Sequence, residues 1–202
     1  MQNFIEKQIS CNIELFQSMA RDKALIALIA VVAERCVFAL KNGRKLLFMG
    51  NGGSAGDAQH LAGEMVSRFA YDRPGLPAFA LTTDSSVLTA IGNDYGYEQL
   101  FSRQVQSVGQ SGDVLFGIST SGNSPNVIKA LELGRRMGLL AVGLTGNHEA
   151  QISRVTDFCL KIPSTVTPKI QEGHICVGHI LCGIIEASIF PVAKADPLEG
   201  NR

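Results

Sequence analysis

Neither sign of charge prevails in this sequence: eighteen lysines and arginines face eighteen aspartates and glutamates. No global field is therefore available to draw nucleic acid or an anionic membrane to the chain. The five cysteines (Cys11, Cys36, Cys159, Cys176, Cys182) are odd in number and contain no CxxC spacing. A disulfide frame and a cysteine zinc site are both unexpected, and the thiols read as reduced core residues of a cytosolic protein. The first seven residues lack a charged segment followed by an apolar one, so no export signal is expected. The apolar run at 24–33 falls short of the roughly 20 residues that span a bilayer. The longer run at 170–192 is interrupted by Gln171, Glu172, His174, His179 and Glu186, and reads as a buried helix. There is no internal repeat, low-complexity tract or flexible linker, so 202 residues are read as one domain.

What is there falls into two textures. Residues 2–42 carry two helical patterns that separate near Arg21 and Asp22, with Gly43 as a stop. The second of them, from Ala24 to Val32, is apolar nearly all round, which calls for cover on several sides, between subunits as well as within one. From residue 43 onward, short apolar runs at 45–49, 78–81, 114–118, 140–144 and 158–162 alternate with helical stretches. That order predicts an α/β fold: a doubly wound, mostly parallel five-stranded sheet with helices on both faces, preceded by the helical hairpin. Ligands of such sheets bind beyond the carboxyl ends of the strands. Three glycine- or serine-rich segments follow strands there: Gly50-Asn51-Gly52-Gly53-Ser54, residues 119–124, and Thr145-Gly146-Asn147.

The segment Gly117-Ile118-Ser119-Thr120-Ser121-Gly122-Asn123-Ser124-Pro125 joins an apolar strand to a helix, with Ser124 at the N-cap and Pro125 at the first helical position. The free N–H groups and the dipole of that helix favour an anion, and Ser119, Thr120, Ser121 and Ser124 add hydroxyl donors. No lysine or arginine lies in the loop. Neutral donors suit a sugar phosphate better than a nucleoside triphosphate, which usually brings a loop lysine and magnesium. The alternative is an ordinary turn built from common turn residues.

Two polar clusters could carry chemistry. His60 and Glu64 lie four apart on one helix face, where imidazole and carboxylate can share a divalent ion or simply form a surface pair. Gln171 and His179 lie eight apart in the apolar C-terminal helix and project to one side, with Glu172 and His174 nearby. An amide and an imidazole buried there need partners. A metal held by His60 and Glu64 would supply one; the alternative is satisfied core histidines and a glutamine that caps a neighbouring strand.

Together these segments resemble the sugar isomerase (SIS) domain family, and within it the isomerases of seven-carbon sugar phosphates. The likeness runs through most of the chain: residues 50–54 with Asp57, His60 and Glu64; residues 88–96 with Phe101-Ser102-Arg103; residues 117–124; and Ile170-Gln171-Glu172 with His174 and His179. Four ordered motifs at family-like separations are far more specific than any one of them. The resemblance implies a single SIS domain over 1–202, with residues 2–42 as a hairpin used in assembly and 43–202 as the α/β core. It implies a homotetramer with active sites between subunits and one zinc per subunit on His60, Glu64, Gln171 and His179. Glu64 and His179 would be the acid/base pair, and Ser119, Thr120, Ser121 and Ser124 would hold the phosphate. Asn51, Gly52, Gly53, Ser54, Asn93, Asp94 and Gln171 would contact the sugar.

The implied activity is cytoplasmic: sedoheptulose 7-phosphate is converted to D-glycero-D-manno-heptose 7-phosphate through an enediol, the first step towards the ADP-heptose of lipopolysaccharide core. Nucleic acid and membrane are not expected partners. A rival in the same family is a non-catalytic tetrameric protein that binds the bacterial replication initiator. Its positions matching Glu64 and His179 carry other residues, whereas both are present here. A sugar-sensing regulator would need a DNA-binding module for which the neutral chain has no room. Departures from the family pattern are Gly56 and Gly63 in the His60 helix, and Lys169 where arginine is frequent.

Overall fold

The computed structural model of the chain describes residues 1–191; Val192, the last residue of the C-terminal apolar run, and residues 193–202 lie outside the described residues. Five strands form one sheet: β1 Leu46–Gly50, β2 Ala78–Ala80, β3 Val114–Ile118, β4 Leu140–Gly146 and β5 Phe158–Ile162. Their order is β2-β1-β3-β4-β5 and every pairing is parallel, so the expected sheet is wholly rather than mostly parallel. Successive side chains alternate between two apolar cores. Leu46, Phe48, Val114 and Phe116 join one, and Leu47, Met49 and Leu115 the other. Burial on both faces is why these strands read as continuous apolar runs instead of alternating ones.

Among the described residues eight α-helices surround the sheet: α1 Gln2–Arg21, α2 Lys23–Lys41, α3 Gly53–Val66, α4 Ser85–Tyr95, α5 Leu100–Val108, α6 Pro125–Arg136, α7 Ile152–Val155 and α8 Thr167–Ile189. The first core takes residues from α1, α2, α3 and α8, the second from α4 to α7. Asp22 makes the predicted break in the hairpin, its carboxylate accepting the Leu25 N–H at 2.9 Å as the N-cap of α2. By length and composition α8 could cross a membrane. Here Ile170, Val177, Leu181 and Ile185 bury it in the first core, as expected. Gly178 lets α8 lie close to α3, because a Cβ there would stand 2.5 Å from the Leu61 side chain. All five cysteines are free thiols, but only Cys36 and Cys182 are fully buried, the other three being half-buried.

With this strand order the chain leaves β1 towards one edge of the sheet and β3 towards the other. The crevice between their carboxyl ends is the topological switch point, where ligands of such sheets bind. The loops entering α3 and α6 flank it.

Candidate active site

Facing positions of α3 and α8 converge. His60 Nε2 of α3 stands 2.8 Å from His179 Nε2 of α8, and 3.3 Å from Glu64 Oε1 one turn further along α3. The three donor atoms lie within 4.8 Å of one another. Two imidazole nitrogens this close cannot both present bare lone pairs, so a proton or a cation belongs between them. The Phe69 ring packs 5.6 Å from that of His179, centroid to centroid, and closes one side. Gln171, two turns earlier on α8, lies against the start of α3. Its amide nitrogen would stand 2.3 Å from a Cβ placed on Gly53, so only glycine leaves it this room. His179 is half-buried rather than a core residue, and its partner is His60.

Beyond β3, the hydroxyl loop is folded on itself. Ser119 Oγ is 2.9 Å from Ser124 Oγ and 3.4 Å from Ser121 Oγ. Ser124 occupies the N-cap of α6 as expected, yet its side chain makes no cap hydrogen bond and turns to Ser119 instead. Pro125 has no N–H and the Val127 N–H donates to Asn126 Oδ1, so among the described residues the Asn126 N–H is the donor in the first turn of α6 left open to an anion. Gly122 has φ 62°, and a Cβ there would meet Ala150 at 2.5 Å, so glycine is required on both counts. The loop after β4 braces this turn: the Ile152 N–H donates to the Gly122 carbonyl, and His148 Nε2 lies 2.8 Å from the Ser121 carbonyl.

Beyond β1, Asn51, Gly52, Gly53 and Ser54 lead into α3, with Ser54 buried against Gly50. Asn51 exchanges two hydrogen bonds with Asn126 at the start of α6 and accepts a third from Tyr97. Asn93 and Asp94, near the end of α4, are exposed and bonded to each other. Asp94 also lines an apolar groove of about 570 Å³ beside β2. Asp57, three residues before His60, is half-buried with Oδ2 unpartnered; burial pushes its carboxyl up to about 6, against the pull of His60.

Behind these residues sits an ion pair that sequence reasoning missed. The side chains of Arg73 and Glu186 are each 1% exposed, with Nε to Oε1 at 2.9 Å. Glu186 also accepts the N–H groups of Phe69 and Ala70. Burial pushes its carboxyl up, but those bonds and Arg73 outweigh it and hold the group below its ordinary range. Arg73 in turn donates to the carbonyls of Glu64 and Met65, tying the end of α3 to α8. His174 is buried, but neither ring nitrogen is hydrogen-bonded, although the Thr145 carbonyl faces it; burial lowers its pKa to about 4.

A family model described as SIS domain matches residues 15–146. The phosphoheptose isomerase of Aneurinibacillus thermoaerophilus is 55% identical over 190 residues, which cover 94% of this chain and 96% of that protein. The phosphoheptose isomerase of Trichlorobacter lovleyi is 56% identical over 192 residues, covering 95% and 97%. The solved structure of phosphoheptose isomerase from Neisseria gonorrhoeae matches with a TM-score of 0.86 and 41% identity, over 92% of this chain and 98% of that one.

Proposed function

The chain belongs to the SIS domain family, and we propose that it is a phosphoheptose isomerase, an aldose-ketose isomerase that converts sedoheptulose 7-phosphate to D-glycero-D-manno-heptose 7-phosphate. The observation that carries this reading is the meeting of His60, Glu64 and His179 on two helices, at the sheet edge that also bears the hydroxyl loop. Two imidazoles and a carboxylate suit zinc, and Gln171 completes the proposed set of ligands, one ion per subunit. When bound, zinc polarises the oxygens of the substrate.

The side chains divide the remaining work. Ser119, Thr120, Ser121, Ser124 and the N-terminus of α6 hold the phosphate. Asn51, Gly52, Gly53, Ser54, Asn93, Asp94 and Gln171 face the sugar. Glu64 Oε1 points at His60, and the other carboxylate oxygen makes no hydrogen bond among the described residues, so that oxygen is assigned the carbon proton. Glu64 takes the proton from C1 of the ketose and returns it to C2, and His179 gives a proton to O2 and takes one from O1. A metal-bound carboxylate is a weak base, so Glu64 and His179 would serve as acid and base only when not fully engaged as ligands of the zinc.

The proposed assembly is a homotetramer of single SIS domains, with active sites between subunits and the α1–α2 hairpin as the assembling element. Its place is the cytoplasm, at the first step towards ADP-heptose for lipopolysaccharide core, with neither nucleic acid nor membrane as partner. The initiator-binding rival is not favoured, because Glu64 and His179 are both present and directed at one point. Incubation of the zinc-loaded protein with sedoheptulose 7-phosphate, followed by NMR, should yield the manno-configured aldoheptose phosphate. No product would sink the reading.

A further inference from the structure

The two loops at the β1/β3 crevice must grip opposite ends of one sugar phosphate, and neither loop by itself sets the distance between them. Asn51 opens the first loop; Asn126 is the second residue of α6, just past the hydroxyl loop. Their side-chain amides pair head to tail: Asn51 Nδ2 donates to Asn126 Oδ1 at 2.9 Å, and Asn126 Nδ2 donates to Asn51 Oδ1 at 2.9 Å. The orientation follows from the backbone. The Val127 N–H donates to Asn126 Oδ1 at 3.0 Å, which makes that atom the oxygen and the Asn51 atom facing it the amide nitrogen. Asn126 is 1% exposed, so its amide has no water to exchange with and is held in this one arrangement.

A third segment joins at the same atom. Tyr97, just beyond α4 with its Asn93 and Asp94, donates its hydroxyl to Asn51 Oδ1 at 2.9 Å. Of the side-chain hydrogen-bonding capacity of Asn51, one N–H remains for a ligand. We propose that Asn51, Asn126 and Tyr97 form a clasp that fixes the spacing of the sugar loop and the phosphate loop, which makes Asn126 and Tyr97 positioning residues for turnover. The inference rests on the isomerase reading for its substrate. A ligand held at both ends gains from loops aligned in advance, and a misplacement of about 1 Å costs roughly a hundredfold in rate.

The test compares wild type, Asn126→Leu and Tyr97→Phe. Without ligand, hydrogen exchange of the backbone amides in Asn126→Leu should quicken in 50–54, the loop that loses its tie to α6. With sedoheptulose 7-phosphate, Asn126→Leu should raise KM by about tenfold and lower kcat, and Tyr97→Phe should raise KM by about threefold. Inhibition by inorganic phosphate, which fills the hydroxyl loop alone, should stay within about twofold of wild type, because the clasp aligns the loops rather than building either one. Unchanged exchange in 50–54, an unchanged KM in both variants, or phosphate inhibition that weakens in step with KM would each overturn the clasp. A wild-type protein that turns nothing over would fail the isomerase reading, and exchange alone would then decide the clasp.

Discussion

His174 and Glu186 are both buried on α8 and meet opposite fates. Glu186 collects three donors and stays charged; His174 collects none and stays neutral. As pH falls below 6.5, the ordinary His174 value, the unfolded chain takes up a proton that the folded chain refuses until about 4. Stability present at pH 7 is therefore lost between those values, by on the order of 2–3 kcal/mol at pH 4. Urea midpoints at pH 7 and pH 4.5 should separate less in His174→Leu than in wild type; equal separations would contradict this. At the reacting centre, Glu64→Gln keeps volume and removes the base. Turnover should fall by at least about a thousandfold with the unfolding midpoint nearly unchanged, and retained turnover would take Glu64 out of its role.

The Arg73–Glu186 pair belongs to the scale of elements, because it locks the end of α3 to the last turns of α8 and so holds Glu64 opposite His179. Glu186→Ala would leave a guanidinium buried without its partner and should cost about 3–5 kcal/mol in urea unfolding. A loss under about 1 kcal/mol, the range of an exposed pair, would show that water reaches Arg73. This pair was invisible in the sequence: its members stand 113 residues apart and neither belongs to a local pattern. The Asn51–Asn126 exchange, 75 residues apart, was hidden for the same reason. His148 was missed because its contact with the hydroxyl loop depends on how the loop after β4 folds back. Local chemistry was legible. The strand at 114–118 was readable to the residue, since burial on both faces leaves an unbroken apolar run, and 158–162 was readable although Lys161 interrupts it on an edge strand that is only partly buried. Asp22 marked the hairpin break because a capping carboxylate sits where one helix pattern ends and another starts. His60 and Glu64 shared a face by spacing alone; that His179 meets them came from the family resemblance and is visible only in three dimensions.

The single chain leaves part of its surface unfinished. Ile5, Ile9, Ile13 and Phe16 form a stripe along α1 at helical spacing and remain exposed, as do Ile26 and Phe38 of α2. Such a stripe is the kind of surface that helices bury against other helices. In the proposed tetramer it is covered, and a double variant Ile9→Glu, Ile13→Glu should sediment as smaller species. A tetramer that survives both charges would remove the hairpin from the assembly.

The proposed activity depends on one cation held by α3 and α8 at the β1/β3 crevice. Zinc titration into metal-stripped protein, with sedoheptulose 7-phosphate turnover as readout, tests it most directly. Activity should rise in proportion to zinc and level off at one ion per chain, and His60→Ala should remain inactive throughout. Full turnover by the stripped wild-type protein would contradict the account.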